Sequence, residues 1–268
     1  MRSLGLASDL LAMDGLSVVE SHSDRIVLRT PGEPDYWWGN ILIVRTLPGR
    51  PAEEWQLFRK EFPTARHSVI AWDVPDLDSS LLRSAWEIEG FELEVSDVLA
   101  RSGSPPAPPP PEGYLLRELA SDHDWEQTFR LAMEIGQEAG HNPAAHALFL
   151  RGRIEGRRSQ IARGILGWWG AFRDGELVAA MGVVTGRIEG APIARYQAVE
   201  TARAHRRRGL CTALLARSAH GALERVPDAR LVIMAEADSE PGRLYRRAGF
   251  AWAERTVAAV RRPDAATP

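Results

Sequence analysis

A run of prolines near the middle of the chain divides the sequence into two parts. Residues 102–113 read SGSPPAPPPPEG. Proline has no backbone N–H group and a fixed φ angle, so such a run cannot join a helix or a central strand. It favours an extended polyproline II spacer, which is semi-rigid. We therefore expect a domain at 1–101, a linker at 102–112 and a second domain at 113–268; a docking peptide for a small recognition domain is the alternative role of the prolines.

The composition limits the classes of protein to which the chain can belong. With 268 residues, 44% of them apolar, it can bury a proper core. A net charge of −3 argues against a protein that coats nucleic acid or an anionic membrane. The single cysteine, Cys211, excludes an internal disulfide and is consistent with a reducing compartment. Because Asp9 and Asp14 interrupt the apolar N-terminus, we expect no signal peptide or membrane span, and a cytoplasmic location.

The part after the linker alternates strand and helix patterns. Its apolar periodicity predicts a strand at 113–119, a helix that begins with Asp122 as N-cap, and a second helix at about 144–160. Asp174-Gly175 is a two-residue hairpin signal between two further strands. The pattern then continues with a strand at 193–201, a helix from Gly209, a strand at 230–237, a helix through Tyr245 and a last strand from Phe250.

The first part repeats some of this order. The dipeptide Gly-Phe occurs at 90–91 and again at 249–250, and each copy follows an apolar run, SVIAW at 68–72 and LVIMA at 231–235. A helix pattern precedes each run. The sequence therefore indicates an internal duplication with two related α/β units.

The stretch RAHRRRGLCTALLARS, at 203–218, places three arginines before a glycine and an apolar helix. A helix N-terminus has unpaired amide groups and a partial positive charge, and it binds phosphates. Gly209 has no Cβ to block a close anion, the arginines at 206–208 keep their charge at physiological pH, and Thr212 adds a hydroxyl donor. The stretch suits a diphosphate; a solvated basic loop and a nucleic-acid contact are the alternatives.

Two motifs together resemble a known family. RRRGLC resembles the acetyl-CoA-binding signature of the GNAT N-acyltransferase superfamily. DSEPGRLYRRAGF, at 238–250, is similar to that superfamily's closing motif, in which a tyrosine four residues before Gly-Phe lies near the cofactor sulfur. The resemblance covers 113–262 and implies an α/β fold of two GNAT-like units, each a mixed, mostly antiparallel twisted sheet flanked by helices. Cys211 stands where the family usually has Gly or Ala, and Asp238 where Asn is common.

The resemblance implies acetyl-CoA as the acyl donor and direct attack by an amine, with no covalent enzyme intermediate. Tyr245, with an ordinary pKa near 10, is the candidate acid for the leaving thiolate, and a core tyrosine is the alternative. Glu200 is the candidate base and Glu236 its rival; structural pairing with arginine is the alternative for both. The residues expected to bind the cofactor are Val199 and Thr201, through their backbone, Arg206, Arg207, Arg208, Gly209, Leu210, Cys211, Thr212 and Asp238.

The first part lacks the cofactor-binding and catalytic residues that the resemblance implies for the second part. In its loop RTLPGRPAEE, Pro48 and Pro51 each remove a backbone donor, and the carboxylates at 53–54 oppose a diphosphate. Trp86 stands where Tyr245 stands in the second part. The first part is therefore expected to be a degenerate GNAT-like domain, with one acetyl-CoA bound per chain.

The expected partner is a small-molecule or peptide amine, with no membrane and no nucleic acid, and a homodimer is left open. No metal is expected, because His141 and His146 lie off one helical face without a further ligand at a suitable spacing. For Cys211, a packing role at the helix start is preferred to that of a nucleophile. The competing functions are an acyl-CoA-binding sensor that has lost turnover and a nucleic-acid module that uses residues 203–208.

Overall fold

The computed structural model describes residues 1–262, and its contacts divide the chain into two compact units. Of the described residues, the first unit contains Met1–Val98, Met234–Gly242 and residues 252–262. The second contains Leu99–Ile233 and Arg243–Ala251. The units therefore differ from the domain boundaries expected from the sequence, since two late segments belong to the first unit.

The first unit is an α/β unit that contains a mixed sheet and helices. Its strands lie in the order β1-β2-β3-β4-β11-β5, with β3 and β4 parallel and the pairs β1–β2, β2–β3 and β4–β11 antiparallel. Its elements are α1 (Leu4–Ala12), β1 (Val18–Ser21), β2 (Arg25–Arg29), β3 (Ile41–Val44), α2 (Pro51–Glu61), β4 (Ser68–Trp72), α3 (Arg83–Ile88), β5 (Glu92–Arg101, to Val98) and β11 (Ala251–Arg261, from Trp252).

Strand β11 joins the first unit because its side chains and backbone both find partners there. Ala258 pairs with Ala71 of β4, and both are buried in one apolar cluster. The carboxylate of Glu254, also on β11, accepts hydrogen bonds from the Ser3 hydroxyl at 2.6 Å and from the Gly5 amide at 2.9 Å. Glu254 thus satisfies amide groups at the start of α1 that would otherwise lack partners.

The second unit is also a mixed, mostly antiparallel sheet. Its strands lie in the order β10-β9-β8-β7-β6; β9 and β10 are parallel and the other pairs antiparallel. The predicted hairpin is confirmed, since Asp174 and Gly175, with φ angles of 52° and 85°, connect β7 to β8. The elements are β6 (Leu115–Glu118), α4 (Asp122–Glu138), α5 (Pro143–Ala162), β7 (Leu166–Arg173), β8 (Glu176–Ile188), β9 (Ala191–Thr201), α6 (Leu210–Arg225), β10 (Arg230–Glu236, to Ile233) and α7 (Glu240–Arg247, from Arg243).

The start of α4 differs by one residue from the prediction. Ser121, not Asp122, is the N-cap, and its hydroxyl accepts from the amide of Asp124 while the Asp124 carboxylate accepts from the amide of Ser121. This reciprocal capping box satisfies two amide groups at once, which Asp122 could not do from its position inside the helix.

Helices cover the two faces of the second sheet. On one face, the Tyr196 hydroxyl donates to the carbonyl of Leu215 on α6 at 2.9 Å. On the other, Trp168 of β7 packs against Trp125 of α4, with ring centroids 5.7 Å apart, and against Arg157 of α5. Within residues 1–262, none of the helices combines the length and the apolar character that a bilayer crossing requires.

Candidate active site in the second unit

Strand β9 carries a bulge near its C-terminal end. In the ladder with β8, Gln197 pairs with Gly182 and Glu200 pairs with Ala180. Two residues of β9 therefore lie opposite one residue of β8, and the first of them, Ala198, has a φ angle of 47°. A bulge leaves the backbone groups of its extra residue outside the ladder.

The predicted backbone contacts at Val199 and Thr201 fall in and just after this bulge. On its other side, β9 pairs with β10 only over Ile193–Arg195 among the described residues. The carbonyl of Thr201 already accepts from Nε of Arg206 at 3.0 Å. Backbone groups near Val199 are therefore the ones that the strand pairing leaves for a ligand.

The turn between β9 and α6 is held by two left-handed residues. Arg207 has a φ angle of 60° and Gly209, the N-cap of α6, one of 80°. No side chain caps this helix. A Cβ built on Gly209 would meet within 4 Å only Cγ of Pro111, at 3.9 Å, so the space beside the N-cap is open. Uncapped amide groups that face open space can bind an anion.

The three arginines of the turn have different environments. Arg206 forms an ion pair with Glu138 of α4, with Nη2 and Oε2 2.6 Å apart. Arg207 and Arg208 are exposed, and neither forms an ion pair with another described residue. Leu210 is 2% exposed, so only its backbone could face a ligand. The charge available to a diphosphate therefore comes from Arg207 and Arg208, whereas Arg206 also fixes the turn.

The bulge also decides which face of the sheet Glu200 occupies. In an unbroken strand, residues three apart point to opposite faces. Here Gln197 and Glu200 lie opposite Gly182 and Ala180 of β8, which are two residues apart, so the two side chains share a face. Trp168 of β7 pairs with Gly182 from the other side and therefore lies on the same face. This is the face that α4 and α5 cover.

The carboxyl group of Glu200 lies in a partly buried environment. Its Oε2 atom is buried and makes no hydrogen bond with any described residue. Burial raises the pKa of Glu200, and the positive charge of Arg157 opposes this shift. A carboxylate whose pKa is raised is a stronger base, and it can accept a proton from an ammonium group, directly or through water.

Tyr245 lies on α7 and is 5% exposed. Burial raises its pKa, the proximity of Cys211 raises it further, and Arg195 opposes both. The hydroxyl therefore stays protonated at neutral pH, as a proton donor must. Burial also raises the pKa of the Cys211 thiol to about 12. That is opposite to the shift of an activated nucleophile and supports the packing role of Cys211.

Two residues named from the sequence lie outside the second unit. Asp238, with a φ angle of 60°, and Glu236 are exposed and belong to the Met234–Gly242 segment of the first unit. There both line a cleft of about 700 Å³ together with Arg83 and Arg255. The other candidates lie together in the second unit; a contact between Asp238 and the cofactor stays a prediction.

The corresponding helix start in the first unit contains a buried carboxyl group of the protein itself. The carboxylate of Glu54 accepts from the Gly49 amide at 2.6 Å and from Nε1 of Trp72 at 3.0 Å, and Glu54 is 8% exposed. Trp86 is buried and packs edge-on against Trp72, with ring centroids 5.1 Å apart. A side chain of the protein thus takes a backbone donor near the start of α2, which supports the idea of a degenerate first half.

Sequence reasoning missed two features of this site. Nothing in the sequence marks Ala198 as a bulge residue, because alanine is common in regular strands and helices alike. Arg157 lies in the helix predicted at about 144–160, yet the sequence assigns no partner to it. His141 and His146 do come together, with ring centroids 4.6 Å apart, but no group of three or more metal-ligating side chains is found among residues 1–262.

The family is decided by a match over most of the second unit. The sequence model of the acetyltransferase (GNAT) family matches residues 125–250. Residues 125–250 are a GNAT acetyltransferase domain. The bulge of β9, the Arg–Gly turn and Tyr245 all lie within the matched residues. No curated protein matches the chain in sequence.

Solved structures show a likeness of fold that extends over more than nine-tenths of the chain. A functionally unknown conserved protein from Staphylococcus epidermidis superposes with a TM-score of 0.71 at 12% identity, over 94% of this chain and 96% of that one. A GCN5-related N-acetyltransferase from Kribbella flavida gives 0.63 at 18%, over 97% and 96%. A tandem GNAT protein from the clavulanic acid biosynthesis pathway gives 0.55 at 16%, over 98% and 89%. At these identities the likeness concerns the fold, and the predicted fold class is confirmed.

Proposed function

We propose that this protein transfers an acetyl group from acetyl-CoA to a primary amine. The start of α6 carries the proposal: the helix is uncapped, Gly209 faces open space, and Arg207 and Arg208 are exposed beside it. These groups complement the charge of a diphosphate.

Acetyl-CoA would supply the acetyl thioester. The amide groups at the start of α6, with the arginines at 207–208, would bind its diphosphate. Leu210 would contribute its amide only, and Thr212 its hydroxyl. Backbone groups near Val199 would bind the amide groups of the pantetheine arm. The buried internal carboxylate of Glu54 supports restricting this binding to the second unit.

Glu200 and Tyr245 would perform the proton transfers. Glu200 accepts a proton from the amine, because burial makes its carboxylate more basic than usual. Tyr245 keeps its proton at neutral pH and gives it to, or shares it with, the departing thiolate. Glu236 is exposed and belongs to the first unit, so Glu200 is the better supported base.

The acceptor in this proposal is a small-molecule or peptide amine, and the fold does not specify it further. The single cysteine supports a cytoplasmic location. The proposal is compatible with a monomer and with a homodimer.

Calorimetric titration with acetyl-CoA tests the binding site. Gly209→Glu would place a carboxylate at the diphosphate and should weaken binding roughly 100-fold or more, because like charges in contact cost several kcal/mol. The matched control is Gly190→Glu. Gly190 has a φ angle of 83°, against 80° at Gly209, and also faces open space, so both variants carry the same strain and charge.

The two variants and the wild type separate the candidate functions. Equal affinity of a folded Gly209→Glu protein and the wild type would contradict the site. Binding by the wild type without thiol release over a panel of primary amines would favour the non-catalytic sensor. Failure to bind acetyl-CoA, combined with binding of single-stranded or duplex DNA that weakens with salt, would favour the nucleic-acid module.

A further inference from the structure

The environment of Glu200 includes a buried cation held on an aromatic ring. Cζ of Arg157 lies 4.3 Å from the ring centroid of Trp168, and Arg157 is 7% exposed. Trp168 is itself fully buried. A Cβ on Gly182 would lie 2.5 Å from Cε3 of Trp168 and 3.3 Å from Cγ of Gln197. The missing side chain at Gly182 therefore lets the indole lie across β8, on the face that also carries Glu200.

We propose that Arg157, held by Trp168, is a positioning residue that supplies the positive charge which the buried carboxylate of Glu200 needs. The inference rests on the proposed role of Glu200 as the base. Arg157 acts through Glu200 and takes no part in the reaction itself.

A buried carboxylate without a nearby cation takes up a proton, because the charged form loses its hydration. A protonated Glu200 could not accept a proton from an ammonium group. A cation close by restores the charged form, and an arginine suits this purpose because it remains charged when buried. Contact with an indole ring stabilises such a desolvated cation. Burial raises the pKa of Glu200 and Arg157 lowers it again, in agreement with this balance.

Two of the other charged groups on this side have partners of their own. Glu138 of α4 pairs with Arg206, and Glu134 of α4 accepts from the Arg203 amide at 3.3 Å. Arg153 lies one turn before Arg157 on α5 and is 5% exposed. Strand β8 carries no charged residue between Glu176 and Arg187. Burial is the main cause of the raised pKa of Glu200, and Arg157 is the charged group that opposes this rise.

The titration of Glu200 can be followed without any ligand. Protein labelled with ¹³C at the glutamate carboxyl groups gives a carboxyl resonance for Glu200, which Glu200→Gln identifies by its loss. In the wild type, Glu200 should be ionised at neutral pH. In Arg157→Met, its pKa should rise by at least about one unit, so that kcat/KM at a pH below both pKa values falls about tenfold per unit. Arg157→Lys keeps the charge and should restore most of the wild-type titration.

The matched control is Arg158→Met. Arg158 is the next residue of α5, but it is exposed and pairs with Asp122 at 2.6 Å. Its replacement removes the same charge from the same helix without touching Trp168, so the titration of Glu200 and the pH dependence of kcat/KM should not change. A shift equal to that of Arg157→Met would show that only the overall charge matters and would overturn the proposal.

The remaining outcomes each decide one question. An unchanged Glu200 titration in Arg157→Met overturns the proposal. If Arg157→Met does not fold, the same titration is measured on Arg157→Gln, which also has a neutral side chain. A wild-type Glu200 that is protonated at neutral pH overturns the proposal without any variant. A shifted titration in a protein with no acetyl transfer would support the role of Arg157 while contradicting the proposed function. Acetyl transfer by Arg157→Met with an unshifted acid limb of the kcat/KM pH profile would support the proposed function and contradict the role of Arg157.

Discussion

Replacement of Tyr245 by phenylalanine isolates the role of one hydroxyl group. The ring of Tyr245 is buried, so Tyr245→Phe keeps its packing and removes only the proton donor. Because burial raises the pKa of this hydroxyl, the proton is present throughout the neutral range and its loss should be felt at every working pH. General acid catalysis is worth about 10²–10⁴-fold. We expect kcat to fall at least tenfold while the affinity for acetyl-CoA barely changes, since the contact strengthens in the transition state.

A second buried tyrosine provides the control. The Tyr196 hydroxyl donates to the carbonyl of Leu215 at 2.9 Å, and burial raises the pKa of Tyr196 as well. Tyr196→Phe should therefore cost about 1 kcal/mol of stability and leave kcat almost unchanged. Thiol release gives kcat, calorimetry gives the affinity and thermal unfolding gives the stability of each variant. Wild-type turnover in a folded Tyr245→Phe protein would assign Tyr245 to packing and refute the proton-donor argument.

Two further predictions concern stability and stoichiometry. The side chain of Asp124 is 3% exposed and pairs with Arg117 at 2.7 Å, which holds its pKa well below the usual range; Asp124→Asn should lower the free energy of unfolding by about 2–3 kcal/mol at neutral pH, whereas Asp122→Asn, at an exposed position, should cost less than about 0.5 kcal/mol. The difference between the two should be complete above the unfolded-state pKa of about 3.9 and shrink as the pH falls below it, and equal denaturation midpoints for the two variants would contradict this. Calorimetry should find one acetyl-CoA per chain, because Glu54 takes the amide of Gly49 in the first half; a stoichiometry of two would refute this interpretation of the first unit.

Local features of the fold were predictable because single residues determine them. Asp174-Gly175 specifies a tight hairpin through its left-handed residues, and the structure agrees. The capping error at α4 had a local cause as well: Ser121 and Asp122 are both good N-caps, and only the carboxylate three residues after Ser121 distinguishes them. Periodicity cannot tell which neighbour a strand pairs with, so the place of β11 in the first unit could not be predicted from the sequence.

Some parts of the candidate site depend on local sequence, and others depend on residues that are far apart in the chain. Gly209 and the arginines of the turn form one continuous stretch of chain, and the sequence predicts their arrangement because a helix start has a fixed geometry. The environment of Glu200 depends on a bulge at Ala198 and on Arg157, which lies on another element far away in the chain. Contacts between residues that are far apart in the chain cannot be predicted from the spacing of residues in the sequence, so only the folded structure shows them.

The place of β11 has a consequence for the order in which the protein can fold. During synthesis, residues 1–98 leave the ribosome before β11, so β4 must wait for Ala258 and the start of α1 must wait for Glu254. Domains usually fold in the order in which they are made. Here the first unit stays incomplete, with one edge of β4 unpaired, until β11 has been translated. Residues 1–98 therefore lack a strand of the unit to which they belong, although the proline-rich segment gives them the appearance of a separate domain.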